Sequence, residues 1–358
     1  MAVAVCLLVL VPATVAAGYY LLFTLLGLGR PRVSHSGEPP WHHITVLIPA
    51  HDEEAGLPRT LQSVRSSDYP PDLLRVVVIA DNCTDRTAEI AADAGAEVFV
   101  RTDPDRRGKG YALAFGLERV RADAVLILDA DCEVTPGLLR ACDRLLSDGA
   151  EAGQVRVVSR NADDSPAGFL AAVGAEVDHA VAVGRHRLTG RTPLRGTGML
   201  FRRSLLKRLP WTATGLAEDA EYADSLERAK VKVRLIADEA VRCDAPAGAD
   251  GLCAQRRRWR AALRWNSGWL VSKPLVLVQL TATMAMVLVF GQPLFVAWAG
   301  LLLVATAWVY GRAVRRVGLT GRRWADLCRT PLLVARLGWI AVEGLWKTER
   351  GWYRTVRR

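Results

Sequence analysis

The sequence lacks the cysteine patterns of a disulfide scaffold or a structural zinc site. Its seven cysteines form no Cys-x-x-Cys pair and no cysteine–histidine set at zinc-binding spacing. Their odd number and scattered positions favour reduced thiols in a cytosolic compartment over a disulfide framework. Cys83 and Cys132 adjoin polar motifs, and we expect both to be small buried residues.

The glycine pattern of a nicotinamide-dependent enzyme is also missing. Such an enzyme carries Gly-x-Gly-x-x-Gly directly after its first strand, where glycines let the backbone approach a pyrophosphate. Residues 49–58, which follow the first predicted strand, contain only one glycine. A nicotinamide site of this type is therefore excluded. No internal repeat or low-complexity tract is visible either.

Acidic residues are scarce toward the C-terminus. Of the net charge of +10 over 358 residues, residues 311–358 contribute +9, from 12 Lys or Arg against 3 acids. A basic chain suits either nucleic acid or an anionic membrane surface. Because 51% of the residues are hydrophobic and long apolar runs adjoin the basic clusters, we expect a lipid bilayer as partner and no nucleic acid.

The first apolar run predicts a membrane anchor. Residues 3–28 carry no charge and are long enough to span a bilayer. A signal peptide is the alternative, but the run exceeds the usual hydrophobic region of one. Arg30 and Arg32 follow and place the downstream domain in the cytosol. We predict an N-terminal transmembrane anchor at residues 1–29 and a linker at residues 30–42.

The C-terminal part predicts further membrane contact. Residues 251–270 read as a basic amphipathic interface helix, and residues 271–311 as a transmembrane hairpin. The two arms of the hairpin, separated by a Gly-Gln-Pro turn, are residues 274–290 and 294–310. Basic clusters outside both arms place both ends in the cytosol, so we expect a multi-pass protein of the plasma membrane. Residues 312–358 are predicted to form a basic, amphipathic, interfacial tail.

One part of that tail has two interpretations. Residues 331–346 are apolar but carry Arg336 and Glu343. An interfacial helix accommodates these charges, and a fourth membrane span is the alternative.

Residues 43–250 predict an α/β domain with a mainly parallel sheet and helices on both faces. Short apolar runs alternate with amphipathic segments throughout this region. Predicted strands are residues 44–48, 74–80, 97–100, 124–128, 154–158 and 231–236. Predicted helices are residues 57–66, 84–94, 109–120, 136–146, 166–183 and 218–229.

Two carboxylates directly follow the fourth predicted strand. Asp129 and Asp131, separated by Ala130, come after the apolar run of residues 124–128. In open α/β sheets, ligands bind at the carboxyl ends of the strands. Paired carboxylates there repel unless a cation lies between them, and hard oxygen ligands favour Mg²⁺ or Mn²⁺. The pair therefore suggests a metal that grips a diphosphate, although an Asp-x-Asp pair alone is a common accident.

Two other strand ends are polar. Residues 49–54 fit a nucleoside pocket, or simply a helix N-terminus with its favoured acids. After the second strand, Asp85 is placed to cap a helix, whereas Asp81 is free to bond a base or ribose.

Three further motifs carry polar or glycine residues. Lys109, between two glycines, suits a phosphate loop or a plain flexible loop, and the Gly196-Thr197-Gly198 segment indicates a close backbone approach leading into a strand. Glu218 and Asp219 begin a helix, where acids often cap but where a general base is also held rigidly. Gln-x-x-Arg-Trp at residues 255–259 lies on the basic helix, where its side chains could simply be interfacial anchors.

These elements, in this order, resemble the family 2 inverting glycosyltransferases. They are most similar to the membrane-bound synthases of cellulose, chitin, hyaluronan and poly-N-acetylglucosamine. The resemblance covers about residues 43–265 and rests on five segments taken together. These are residues 47–53, 80–82, 129–131, 218–219 and 255–259.

The resemblance implies a GT-A fold, a UDP-sugar donor and Mg²⁺ or Mn²⁺ as cofactor. Asp219 would be the base that deprotonates the acceptor hydroxyl, Asp131 the metal ligand, and Asp81 the contact to uracil. Nucleotide-sugar contacts would be Pro49, Ala50, His51, Glu53, Asp81, Lys109 and Asp129. Acceptor and diphosphate contacts would be Glu218, Gln255, Arg258 and Trp259.

The implied reaction transfers a hexose or N-acetylhexosamine to a lipid, a lipid-linked glycan or a polysaccharide at the cytosolic face, with inversion to a β-linkage. Three predicted spans are few for a synthase that secretes a long polymer, which puts processivity in doubt. A degenerate member acting as a membrane scaffold or glycan-binding partner is the alternative from a non-enzyme class.

Overall fold

The chain divides into two compact units. The computed structural model describes residues 2–29, 42–246, 248–262, 280–281, 283–285, 288–289 and 293–343. The helical unit comprises Met1–Leu28, Ser159–Gly184 and Ala245–Arg358, and the sheet unit comprises Gly29–Val158 and Arg185–Asp244. The predicted catalytic domain of residues 43–250 is thus divided, because residues 159–184 group with apolar helices.

The sheet unit is built on eight strands in the order β3-β2-β1-β4-β7-β6-β8-β5. These are β1 (Ile44–Ala50), β2 (Leu74–Asp81), β3 (Glu97–Arg101), β4 (Ala124–Ile127), β5 (Cys132–Val134), β6 (Ala152–Ser159), β7 (Met199–Arg202) and β8 (Val233–Cys243). Strands β1 to β4 pair in parallel, whereas β7 runs antiparallel to β4 and β6, and β5 antiparallel to β8. The sheet is therefore mixed, with parallel pairing among β1–β4 and antiparallel pairing beyond β4 at β4–β7, β6–β7 and β5–β8.

Helices flank this sheet, as the alternating pattern predicted. They are α2 (Leu57–Arg65), α3 (Thr87–Asp93), α4 (Lys109–Arg119), α5 (Leu138–Ser147), α7 (Arg203–Arg208) and α8 (Glu218–Arg228). Successive side chains of β1 enter two cores: Ile44 and Val46 join the cluster that includes α2 and α5. Leu47 joins the cluster that includes α4 and α8. Period-2 alternation of a strand buried on both faces produces this arrangement.

The helical unit contains α1 (Ala2–Leu26), α9 (Ala249–Ala262), α10 (Pro293–Val317), α11 (Gly321–Glu343) and the first part of α6 (Pro166–Thr189). Three helices of the described residues are long and apolar enough to cross a membrane: Cys6–Leu26, Pro166–Thr189 and Pro293–Val317. For the second of these, α6, the sequence predicts a helix at residues 166–183 within the catalytic domain and no membrane span there. It is also the most buried of the three: 67% of its most apolar stretch is buried, against 29% for Cys6–Leu26 and 28% for Pro293–Val317.

Close helix contacts in the helical unit depend on small residues. A side chain on Gly184 of α6 would overlap the carbonyl oxygen of Phe23, and one on Gly27 would overlap that of Ala180. Glycine at these two positions therefore permits backbone contact between α1 and α6. Such small-residue crossings are common where helices pack within a bilayer.

The described part of the predicted interfacial segment, residues 331–343, belongs to a longer helix. Its first residue, Pro331, lies inside α11 instead of beginning it. One face of α11 packs on α9, where Leu333 and Leu337 meet Leu252. Three other parts of the predicted organisation lie outside the described residues: residues 30–41 of the linker, more than half of the first hairpin arm, and the end of the tail (residues 344–358).

Candidate functional site

The polar ends of three strands meet at one edge of the sheet. The parallel register aligns Ala50 of β1 with Ala80 of β2, and Leu47 of β1 with Ile127 of β4. The segments that follow these strands are those predicted to bind the donor. Parallel strands bring their carboxyl ends to one edge, which is where open α/β sheets bind ligands.

Lys109 lies at the centre of this edge. Its Nζ donates to the Asp129 carboxylate and to the Gly196 carbonyl oxygen, the latter at 2.7 Å, and lies 3.7 Å from Glu218 Oε1. A Cβ on Gly196 would be 3.6 Å from that Nζ and 3.7 Å from Asp219 Oδ2. Four residues from three motifs that the sequence singled out separately, at positions 109, 129, 218 and 219, therefore form one cluster.

Local packing explains why Lys109 reaches the acids of α8. Lys109 is the first residue of α4, and the next residue is Gly110. A side chain on Gly110 would overlap the carbonyl oxygen of Ala213, in the segment that leads to α8. The glycine thus lets the start of α4 lie against this segment, which brings the lysine to Glu218.

The cluster perturbs the pKa values of its members. Burial works to lower the pKa of Lys109, but the Asp129 and Glu218 carboxylates outweigh it and raise that pKa. Burial raises the pKa of Glu218 and of Asp219, although the Lys109 charge opposes both shifts. Lys109 is therefore held as a cation, and Asp219 is more basic than an exposed aspartate. Higher basicity suits a residue that takes a proton from a hydroxyl.

The Asp129–Asp131 segment has donor atoms for a divalent cation. Oxygen atoms of Asp129 and Asp131 and the sulfur of Cys132 lie within 4.8 Å of one another. The sulfur is bonded to Cys243, so it is not available as a thiolate ligand. The remaining donors are two carboxylates, a set that suits Mg²⁺ or Mn²⁺.

The disulfide between Cys132 and Cys243 corrects one expectation about the cysteines. We predicted seven reduced thiols, but Cys132 and Cys243 face each other across β5 and β8 and form a disulfide. The remaining five are free, at positions 6, 83, 142, 253 and 328. A three-residue strand such as β5 is too short to produce a sequence pattern, so this pairing was hidden.

The environment of Asp81 differs from the one that the sequence predicts. We predicted a carboxylate free to bond a base or ribose, but the residue is 5% exposed. Its Oδ1 accepts hydrogen bonds from Arg101 Nη1 at 2.5 Å and from Asn82 Nδ2 at 3.0 Å. Arg101 also donates to Asp103. The missed partner is explained by the β2–β3 register, which places Arg101 opposite Asp81.

Hydrogen bonds connect the segment after β1 with the segment after β2. His51 Nδ1 lies 2.7 Å from the carbonyl oxygen of Asp81, and the N–H of Glu53 donates to Thr87 Oγ1 at 2.8 Å. Pro49 and Ala50 are the last residues of β1. Asp85 accepts from the backbone N–H of Thr87 at 2.9 Å, in agreement with its expected capping role.

The Gln-x-x-Arg-Trp residues lie in α9 of the helical unit. Gln255 is buried there. The side chains of Arg258 and Trp259 lie outside the described residues. The structure therefore brings the predicted donor residues and base together within the sheet unit, whereas the Gln-x-x-Arg-Trp residues belong to the helical unit.

The chain is similar to known proteins in sequence and in fold. A family model described as "Glycosyltransferase like family 2" matches residues 39–262, well over half of the chain. The chain belongs to this family. The low-salt glycan biosynthesis hexosyltransferase Agl6 of Haloferax volcanii is 40% identical over 89 residues, which are 25% of this chain and 21% of the relative. A beta-monoglucosyldiacylglycerol synthase of Synechocystis sp. is 27% identical over 229 residues, 62% of this chain and 47% of the relative.

The family 2 chain spans less than half the length of these two relatives. Among solved structures, a mannosyltransferase of Pyrobaculum calidifontis, in complex with GDP-Man and Mn²⁺, superposes with a TM-score of 0.61 at 21% identity. The match covers 98% of this chain and 100% of that one. It shows that the fold is GT-A, with a mixed sheet flanked by helices.

Proposed function

We propose that this family 2 glycosyltransferase transfers a hexose or N-acetylhexosamine from a UDP-sugar to a lipid, a lipid-linked glycan or a polysaccharide. The observation that carries the proposal is the Lys109 cluster. It places a basic carboxylate, Asp219, beside a charged lysine and the Asp129–Asp131 pair at the ligand-binding edge of a GT-A sheet. A single displacement needs these groups and no covalent nucleophile.

In this reaction Asp219 takes the proton of the acceptor hydroxyl as that oxygen attacks the anomeric carbon. Burial raises the pKa of Asp219, which increases its proton affinity. Attack from the face opposite the leaving diphosphate inverts the anomeric centre, so an α-linked donor yields a β-linked product. Asp219 is the second residue of α8, and a helix is a rigid support for a base.

Residues at the same edge of the sheet would hold the donor. Asp131 would hold Mg²⁺ or Mn²⁺, which stabilises the negative charge of the departing diphosphate when bound. Asp129 binds the sugar, and Lys109 supplies a positive charge beside it. Asp81 recognises the uracil ring, held in place by Arg101, while residues 49–53 border the nucleoside.

The acceptor is proposed to arrive from a membrane. The two curated relatives are named as a hexosyltransferase of glycan biosynthesis and as a glycolipid synthase, which supports a glycan or lipid acceptor. Helices α1 and α10 are long and apolar enough to anchor the protein in the plasma membrane, with the sheet unit in the cytosol. Within the sheet unit, Glu218 would border the acceptor. Gln255, Arg258 and Trp259 of the helical unit keep the acceptor role that the family resemblance implies.

A non-catalytic scaffold of the same family is the second candidate. It predicts that at least one acidic motif has been lost, whereas Asp81, Asp129, Asp131 and Asp219 are all present. A partly buried lysine that pairs with the Asp129 and Glu218 carboxylates is also costly to desolvate in the absence of a ligand. Both observations favour the enzyme.

The deciding experiment incubates membranes containing the full chain with a panel of UDP-sugars, and with GDP-mannose as a competing donor, in Mn²⁺ or Mg²⁺. Products are identified by mass spectrometry, and the anomeric configuration by NMR. A β-linked product from one UDP-sugar supports the proposal. No product from any donor, with nucleotide binding intact, would support the scaffold.

A further inference from the structure

The Gly196-Thr197-Gly198 segment, called the GTG loop here, connects three parts of the candidate site. The Gly196 carbonyl accepts from Lys109, and Thr197 Oγ1 accepts the backbone N–H of Asp129 at 3.0 Å. Gly198 donates its N–H to the carbonyl of Ile127, at the end of β4, at 2.8 Å. The loop thus lies between the residues that hold the donor and the carboxylate of Asp219.

The GTG loop has little conformational restraint of its own. Gly196 and Gly198 adopt φ values of +78° and +66°, in the left-handed region that glycine enters readily. Glycine also has the largest freedom to leave a given conformation, so a loop with two of them needs external support. The loop's own sequence therefore does not determine where its carbonyl and hydroxyl groups lie.

Gln154 supplies such support from the neighbouring strand. It lies in β6 opposite Met199, the first residue of β7, and is only 1% exposed. Its Nε2 donates to the Thr197 carbonyl at 2.8 Å, and its Oε1 accepts the N–H of Arg195 at 2.9 Å. One side-chain amide therefore bonds the backbone on both sides of Gly196. Nε2 also lies 2.8 Å from the Val155 carbonyl, so the buried amide is well satisfied.

We propose that Gln154 is a positioning residue for the transfer reaction: by fixing the GTG loop, it sets where Lys109 and Asp129 lie relative to Asp219. The inference rests on the proposed function and assigns Gln154 no contact with substrate. Reacting groups must be held closely, and a misplacement of about 1 Å can lower a rate by about 10²-fold. Loss of Gln154 therefore reduces kcat and weakens metal-dependent nucleotide binding, while the fold persists.

A purely structural role is the competing explanation, because any buried amide that satisfies backbone groups stabilises a protein. Matched substitutions separate the two. Gln154→Met keeps the size and removes the hydrogen bonds. Tyr69→Phe is the control: Tyr69 is buried in the same unit and donates to the His42 carbonyl at 2.7 Å, near the amino end of β1, away from the candidate site.

Thr197 provides a second, independent pair of variants. Thr197→Val keeps the shape and removes the acceptor for the Asp129 N–H, whereas Thr197→Ser keeps the hydroxyl. If the GTG loop positions Asp129, Thr197→Ser retains activity within about threefold of the original protein, and Thr197→Val loses at least about tenfold. Equal activities in the two variants would contradict the role of the loop.

The full chain in detergent is assayed for kcat, for KM of donor and acceptor, for the unfolding midpoint, and for UDP binding with and without Mn²⁺ by calorimetry. We expect Gln154→Met to lower kcat about 10- to 100-fold with the acceptor KM nearly unchanged, and Tyr69→Phe to lower the midpoint but not kcat. Activity loss in Gln154→Met equal to that of Tyr69→Phe would overturn the inference.

The two proposals fail in different ways. If the original protein transfers no sugar but binds UDP with Mn²⁺, the proposed function fails, and the Gln154 inference is decided by whether Gln154→Met weakens that binding. If the original protein binds no nucleoside diphosphate, there is no donor site for Gln154 to position, and the inference is overturned as well.

Discussion

Arg101 lies directly opposite Asp81 in the β2–β3 register and neutralises that carboxylate in a buried ion pair. Both side chains are less than a tenth exposed. Removing one partner of such a pair leaves a buried, uncompensated charge, which typically costs about 3–5 kcal/mol. Asp81 is the proposed contact to uracil, so Arg101 connects the stability of the sheet with recognition of the base.

The first prediction concerns this pair. Arg101→Met should lower the free energy of unfolding of the sheet unit by roughly 3–5 kcal/mol and weaken UDP binding, because the Asp81 carboxylate is left buried and unpaired. Unfolding midpoints and calorimetric UDP titrations measure the two effects. Arg75→Met is the control, since Arg75 forms an exposed ion pair with Glu97 that contributes little. Equal losses in both variants would contradict the assignment.

The second prediction concerns the proposed base. Asp219→Asn keeps the shape of the side chain and removes its ability to accept a proton. We expect kcat to fall by about 10²–10⁴-fold, with UDP binding retained. Asp224→Asn changes an exposed acid on the same helix and serves as the control. Turnover by Asp219→Asn at the original rate would remove Asp219 from the mechanism.

The third prediction concerns pH. Because burial raises the pKa of Asp219, the base becomes protonated at a higher pH than an exposed aspartate would, and activity should fall as the pH decreases through that raised value. Lys109 opposes the shift, so Lys109→Met should move the acidic limb of the kcat/KM profile to still higher pH. Lys109→Arg keeps the charge and should leave the limb close to its original position. A limb that moves to lower pH in Lys109→Met would show that another group controls it.

The fourth prediction concerns the metal. EDTA should abolish transfer, and Mn²⁺ or Mg²⁺ should restore it, because the Asp129–Asp131 pair offers only carboxylate oxygens. Asp131→Asn should raise the metal concentration needed for half-maximal activity by at least about tenfold. Asp85→Asn changes an acid in the other group of candidate donors, Asp52, Cys83 and Asp85, and should leave that concentration unchanged. Full activity in EDTA would exclude a metal-dependent mechanism.

Sequence reasoning located much of the sheet unit but not its internal bonds. Apolar runs such as that before Asp129 predicted β1–β4, since a strand buried on both faces has an unmistakable composition. The short β5 and α7 were missed because neither is long enough to show a period. Predicted helix bounds in the sheet unit mostly agree within about three residues, the usual uncertainty at frayed ends.

The candidate site shows the same limit. Lys109, Asp129 and Asp219 were identified individually because each lies at a strand or helix end with a known preference for polar residues. Their contacts through Gly196, and the contacts of Asp81 with Arg101 and of Gln154 with Thr197, depend on which strands are neighbours. Strand order is a property of the tertiary fold, and local periodicity carries no information about it.

The last prediction concerns Cys132 and Cys243. Alkylation of the denatured chain without reductant should label five thiols, and alkylation after reduction should label seven, as counted by intact mass. The bond closes a loop of 111 residues, so Cys243→Ala should lower the free energy of unfolding by roughly 2–4 kcal/mol. Cys328→Ser removes an exposed free thiol and should have little effect.

Because Cys132 directly follows Asp131, the same Cys243→Ala variant should also need more Mn²⁺ for activity. Cytosolic disulfides are rare, so seven labels without reductant would mean that the pair is reduced where the protein works and that the Asp131 segment is held by packing alone.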